Sequence, residues 1–399
     1  MTWDQTYPIG AFGPPMGSIE IRNLAGLVTG VGESIVQATT IRAEAGVITT
    51  IGAAAGTADV VLDAHGAVAI PGLIDTHSHV VFGDFTPRQN AIGWLESYMH
   101  GGVTQVMSAS EVHLPGRPTD RTGVKALAIA AQRAYATFRP GGVRIRAGSV
   151  ICEPVLTRSD FRELANAGVR LMKVGFGAFA EPAQAARQVG WAREFGFVVM
   201  SHSGGASIPG SRPITVDDLL RIDPDIAGHL NGGTTSLPDD EVVFLMERSS
   251  MALQVVQAGN LRSTLHIVRA AADRSMLGRI IIGTDTPSGT GVMPLAMIKT
   301  ICEISSLTGL PAVQVIKFAT GNAARVLRVE EGVLETGRPA DIVLLQAPWG
   351  GTRDEPIGSI ENGDIPGICA VLIDGQIRAL TSRNTPAPAR EATVTRRAD

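Results

Sequence analysis

Between residues 69 and 329 the chain repeats one pattern: a short apolar run, a polar turn, an amphipathic stretch, then another apolar run. Strand candidates stand at 73–75, 103–108, 143–150, 169–174, 197–201, 226–230, 251–256 and 279–284. Helix candidates stand at 122–138, 161–167, 181–195, 238–249 and 261–276. Strands separated by helices run parallel, because each crossover returns the chain to the same end of the sheet. Eight of them over about 250 residues fit a closed (β/α)8 barrel. A doubly wound open sheet is the alternative, but no GxGxxG follows the first strand to favour it. Ser159 is expected to cap the helix at 161–167 and Gly168 to end it.

The two ends read differently. Residues 18–21, 35–41, 46–51 and 60–62, and again 332–335, 341–345 and 370–374, are short β-like runs, with Asp374-Gly375 as a hairpin turn. The expected architecture is α/β: a (β/α)8 TIM-like barrel over 69–329 and a small β-sandwich built from both termini, 1–68 and 330–399. The last stretch, 381–399, is expected to lie on the surface or to reach a neighbouring chain. The 399 residues are 44% hydrophobic and 18% charged, enough for a large core. A net charge of −4 without a basic patch speaks against nucleic acid as a partner. No polybasic or long apolar stretch speaks for a membrane. Cys152, Cys302 and Cys369 are too scattered for a zinc or disulfide framework, and are expected to be buried reduced thiols. With no signal-peptide pattern, the expected location is cytoplasmic.

In a parallel barrel, chemistry sits at the C-terminal ends of the strands. His77 and His79 follow the first strand, Lys173 ends the fourth, His202 the fifth, His229 the sixth and Asp285 the eighth. Two imidazoles at i and i+2 on a strand face one side and can bind one metal. Each feature alone has a plainer reading. His77-Ser-His79 can be a surface turn, a strand-end histidine a hydrogen-bonded rim residue, and Lys173 the partner of a carboxylate. Six such groups at five strand ends are harder to place by chance on a chain with eight histidines. His65, His100 and His266 read as structural, while His113 follows the second strand and can reach the site. Arg88 and Arg117 follow the first two strands, and either guanidinium can clamp a carboxylate. A salt bridge within the loop explains each of them equally well. The backbone from Ser203 to Ser207 can offer N–H groups to an anion.

The segment Pro71-Gly-Leu-Ile-Asp-Thr-His-Ser-His79, the later His202, His229 and Asp285, and Gly337-Arg-Pro-Ala-Asp-Ile-Val-Leu-Leu345 resemble the amidohydrolase superfamily over nearly the whole chain. The closer likeness is to its enamidases. It is carried by Gly83-Asp-Phe-Thr-Pro-Arg-Gln89, His113-Leu-Pro-Gly-Arg-Pro118, His202-Ser-Gly-Gly-Ala-Ser-Ile-Pro-Gly-Ser211, His229-Leu-Asn-Gly-Gly233, Gly283-Thr-Asp-Thr-Pro-Ser-Gly-Thr-Gly291, Gly363-Asp-Ile-Pro-Gly367 and Ser382-Arg-Asn-Thr-Pro386. The resemblance implies a barrel bearing two divalent metals, zinc first and an iron–zinc pair as the alternative. It implies His77, His79 and Asp285 on one metal, His202 and His229 on the other, and Lys173, carboxylated by CO2, between them. It also implies a homotetramer that hydrolyses a carboxylated cyclic lactam or enamide, the hydroxide arising between the metals and Asp285 moving the proton. His113, Arg88, Arg117 and Ser207 would contact the substrate. One position departs: the enamidases carry a glutamate where this chain has Lys173, and the lysine is shared instead with hydantoinase- and dihydroorotase-like members acting on cyclic imides. A one-metal deaminase fits less well, because no glutamate accompanies His202 or His229. A non-catalytic scaffold fits least, because every ligand position is filled.

Overall fold

The computed structural model describes residues 17–52, 56–79, 91–113, 115–287 and 291–396. Six short strands come first: β1 (Ser18–Arg22), β2 (Gly26–Leu27), β3 (Ile41–Glu44), β4 (Val47–Ile51), β5 (Val60–Asp63) and β6 (Val68–Pro71). Nine follow with helices between them: β7 (Leu73–Ser78), β8 (Val103–Ser108), β9 (Arg144–Arg146), β10 (Ser149–Ile151), β11 (Leu171–Val174), β12 (Val198–Ser201), β13 (Ile226–Ala227), β14 (Ala252–Val256) and β15 (Ile280–Gly283). Four close the chain: β16 (Ile342–Gln346), β17 (Gly367–Ile373), β18 (Gln376–Leu380) and β19 (Thr393–Arg396).

The middle strands form two parallel runs, β7-β8-β9 and β10-β11-β12-β13-β14-β15. The last strand lies beside the first. Ser78 and Thr286 form a parallel bridge, Asp285 N–H donates to the His77 carbonyl at 2.7 Å, and His79 N–H donates to the Thr286 carbonyl at 2.8 Å. This is a TIM-barrel type of architecture, and it orders the expected ligands around one mouth. The stretch expected as one strand at 143–150 is two, because the buried Glu111 carboxylate accepts from Gly148 N–H and Ser149 N–H where a ladder would continue. The stretch expected at 226–230 pairs only as far as Ala227, and His229 has turned to φ 36°.

Helix ends follow local chemistry. Helix α1 spans Ala91–His100 and α2 Arg121–Tyr135. The Asp120 side chain accepts from Thr122 N–H and Gly123 N–H, both at 3.0 Å, and starts α2. Helix α3 (Arg158–Asn166) begins at Thr157 rather than Ser159, because the Asp160 carboxylate reaches back to Thr157 N–H at 2.7 Å. Gly168, at φ 90°, follows its end as expected.

The terminal strands make two five-stranded sheets, β19-β5-β1-β3-β4 and β18-β17-β16-β6-β2. Strand β16 is buried throughout, and its alternate residues enter two different cores. Ile342 and Leu344 join a cluster with Ile19, Ile41, Ile48 and Leu62 of the other sheet, while Val343 and Leu345 join the large cluster of the barrel and its helices. A strand covered on both faces has no reason to alternate polar and apolar residues, which explains the run Ile-Val-Leu-Leu. Three expectations differ. Residues 35–40 leave only an isolated bridge, Leu27–Val36, and 332–335 forms no strand. The tail does not merely lie on the surface, since β19 pairs antiparallel with β5 and completes the edge of the N-terminal sheet.

Candidate metal centre

Strand β7 delivers His77 and, one residue past its end, His79. Both are buried, and their Nε2 atoms lie 3.3 Å and 3.2 Å from Asp285 Oδ1. One potential ligand atom from each of the three residues falls within 4.8 Å of the others. Asp285 takes this position by leaving β15 in a left-handed turn, φ 60°, which aspartate tolerates better than most residues. Burial pushes its carboxyl up, but His77 and His79 outweigh burial and hold it well below the usual carboxylate range.

A second pair stands beside the first group. The His202 Nε2–H donates to the Gly205 carbonyl at 2.7 Å, which leaves Nδ1 as the bare lone pair, 3.0 Å from His229 Nε2. The His229 ring centroid is 4.6 Å from that of His202 and 5.3 Å from that of His77, so the pair and the triplet share one space. His229 Nδ1 is buried without a hydrogen-bond partner. Burial, aided by the Lys173 charge, drives His77 and His202 down to about 4. Burial and the neighbouring His202 drive His229 well below its ordinary value. Neutral imidazoles and an ionised carboxylate are the protonation states that bind divalent cations.

Lys173, near the end of β11, is fully buried, and among the described residues its Nζ hydrogen-bonds to the Met200 sulfur at 3.5 Å. No carboxylate forms an ion pair with it among the described residues, although the Asp285 charge is near enough to raise its amine against the effect of burial. Burial lowers its amine to about 8. An ammonium left unpaired in a dry interior is costly, and the neutral amine is the form that reacts with CO2.

The ligands are held from behind by groups that sequence reasoning missed. Gln254, on β14, accepts His77 Nδ1–H at 2.7 Å and His229 N–H at 3.1 Å through one oxygen, and its amide donates to Thr76 Oγ1 at 2.9 Å. This bond leaves Nε2 as the free nitrogen of His77. Asp75 accepts from His77 N–H, Thr284 N–H and the Thr284 hydroxyl, at 3.0, 2.9 and 2.6 Å, and clamps β7 to β15. Ser110 Oγ stands 3.3 Å from His79 Nδ1 and 3.0 Å from His113 Nδ1. A lone amide in the buried run Ala-Leu-Gln-Val-Val was a legible signal for Gln254, because an interior amide needs a specific partner.

The expected substrate contacts fare unevenly. His113 does reach the site: its ring lies 4.8 Å from that of His79, and burial with the nearby His79 drives it down to about 3. Arg117 does not offer a free clamp. Its guanidinium is buried, ion-paired with Glu153, and donates to the Phe176 carbonyl at 2.6 Å. Ser207 is exposed, and of the backbone expected to offer N–H groups to an anion, Gly204 N–H and Gly205 N–H are spent on the Ile214 and Thr235 carbonyls, at 2.9 Å each. Arg88 lies outside the described residues. His65, His100 and His266 bond to Thr393, Arg383 and Asp239, away from this centre. The three cysteines are buried and free, and burial pushes the Cys302 and Cys369 thiols up to about 12. No described helix is long and apolar enough to cross a membrane.

Residues 226–377 match the amidohydrolase family. The enamidase of Eubacterium barkeri is 41% identical over 386 residues, covering 95% of this chain and 100% of that protein. The crystal structure of an enamidase superposes with a TM-score of 0.90 over 95% of this chain and 100% of its own. A β-aspartyl dipeptidase from Fervidobacterium islandicum AW-1 shares the fold at 16% identity, with a TM-score of 0.61 over 92% of this chain and 97% of its own. A 5'-deoxyadenosine deaminase of Methanosarcina mazei is 24% identical over 377 residues, 83% of this chain and 84% of that protein. A ring of parallel strands with histidines, a lysine and an aspartate at its mouth, and a near full-length relative at 41% identity, have one common explanation: the chain belongs to the amidohydrolase family.

Proposed function

We propose that this chain is a metal-dependent hydrolase that opens a cyclic amide, with a carboxylated enamide lactam as the substrate class. The observation that carries the proposal is the convergence of His77, His79 and Asp285 with His202 and His229 around the buried Lys173, which forms no ion pair among the described residues. The 41% identity to an enamidase supports the choice of amide.

In this reading His77, His79 and Asp285 hold one divalent ion and His202 and His229 a second. Lys173 would contribute as a carbamate: its neutral amine would form a bond to the carbon of CO2 and lose a proton, which would supply an anionic oxygen donor to the metal centre in place of an ammonium. Zinc is the first choice, an iron–zinc pair the second. Bound there, such ions would bring the pKa of a water down to about neutrality and draw charge from the amide carbonyl. Gln254 keeps His77 presenting Nε2. Asp285, ionised and next to the bond to be broken, accepts the proton of the attacking water and delivers it to the leaving nitrogen. From an enamide ring the released enamine tautomerises to an imine, and a second water yields an aldehyde and ammonia. Residues 1–68 and 330–399 would form the β-sandwich domain and 69–329 the hydrolase barrel, in a cytoplasmic homotetramer.

The test is ammonia release from a panel of cyclic amides, with metal content measured on the same sample. Metal near two ions per chain and ammonia from the enamide lactam are expected; a protein with well under one ion, or one that opens no ring, would sink the reading. Asp285→Asn should lower kcat by about 10²–10⁴. Because a lysine in this position also suits cyclic imides, hydantoin-like rings belong in the panel, with their opening read by mass spectrometry of the ring-opened acid, since it frees no ammonia; preferential opening of those would shift the substrate class.

A further inference from the structure

The loop that leaves β11 carries the aromatic ring of Phe176 between two glycines, Gly175 and Gly177. The loop is pressed against the metal centre on both sides of that ring. A Cβ on Gly175, at φ 125°, would stand 2.4 Å from the His202 Cβ, and one on Gly177 would stand 2.0 Å from the Cys152 carbonyl oxygen. Only glycine permits both approaches. The loop is also tied from outside. Arg117 donates to the Phe176 carbonyl at 2.6 Å and pairs with Glu153, whose other oxygen accepts Ala178 N–H at 2.8 Å. Arg117 and Glu153 are both buried, so this strut is shielded from water.

The consequence is a half-buried phenyl ring held at the mouth of the site. Its centroid is 4.8 Å from the His113 ring and 5.7 Å from the His202 ring, and Lys173 Nζ lies 5.9 Å from it. It therefore borders both sets of expected ligands, through His113 beside His79 and through His202. A flat unsaturated ring stacks on such a surface, whereas a puckered saturated ring presents no π-face.

We infer that Phe176 is a specificity-determining residue, an aromatic platform on which a planar, unsaturated six-membered lactam stacks, with Arg117 and Glu153 as the positioning residues that fix it. This rests on the cyclic-amide reading above and narrows its substrate class to flat rings.

The experiment separates the two. Binding of 2-pyridone-5-carboxylate (flat) and 2-piperidone-5-carboxylate (puckered) to the metal-loaded protein is measured by calorimetry, beside ammonia release from the enamide lactam. Wild type is expected to prefer the flat ring. Phe176→Leu should weaken flat-ring binding by about three- to tenfold, leave the saturated ring nearly untouched and keep the metal content, while Phe176→Tyr keeps the preference. If the Leu variant does not fold, Phe176→Met, closer in volume, gives the same readout. A preference for flat rings unchanged in the Leu or Met variant, or both rings weakened alike, overturns the platform. Loss of that preference in a protein that releases no ammonia leaves the platform standing and removes the hydrolytic reading instead.

Discussion

Lys173 is the residue whose environment says most about the chemistry. Its side chain is fully buried, and among the described residues its Nζ hydrogen-bonds to a thioether sulfur. Such a lysine is a burden to a metal-free fold and an asset only when converted or neutralised. Lys173→Met should therefore lower metal content by at least half and abolish turnover. In metal-free protein it should also raise stability by about 1–4 kcal/mol, the gain seen when buried charge gives way to apolar packing. Metal analysis and urea titration check both parts; a less stable variant that still binds its full metal would remove the lysine from the centre. At this scale the sequence was only partly legible. His77-Ser-His79 announced itself by spacing. Arg117 read equally well as a clamp or as half of a salt bridge, because a sequence cannot say that Glu153, 36 residues later, folds back to take its charge.

Among the elements, the joint between β7, β13 and β14 matters most for the site. Gln254 touches one expected ligand by its ring and another by its backbone, and so couples strands far apart in the chain. Gln254→Leu keeps the volume nearly unchanged but strands the His77 Nδ1–H and the His229 backbone N–H, while the Thr76 hydroxyl keeps its bond to the Ile282 carbonyl. Metal affinity should fall about 10–100-fold, the usual effect of losing a partner behind a metal-binding histidine. Chelator competition measures this, and an unchanged affinity in a folded variant would reduce Gln254 to packing. The strand ends were legible from hydrophobic runs. The break between β9 and β10 was not, because it depends on Glu111 reaching across from another strand end.

Over the whole molecule, Arg144 joins the barrel to the C-terminal sheet. It sits at the start of β9, pairs with Asp341 and Asp374, and lies 3.3 Å from Glu331. Asp341 is fully buried, and burial raises its carboxyl even though Arg144 pulls it back. Arg144→Ala leaves that carboxylate uncompensated and should cost about 3–5 kcal/mol in chemical unfolding, with the kcat of the folded fraction unchanged. A loss under about 1 kcal/mol would mean that the pair behaves like an exposed one. The alternation of strands and helices determined the parallel ring, and the residue types at the strand ends determined that a group able to hold a metal stands at its mouth. Both follow from local periodicity and side-chain chemistry, which the chain carries residue by residue. Only the tertiary structure decided that the tail would complete the N-terminal sheet, that Gln254 and Asp75 would hold the ligands, and that Phe176 rather than Arg117 would face the site. Those outcomes depend on which distant groups meet and on which buried charges find partners, and neither is written in any one stretch of sequence.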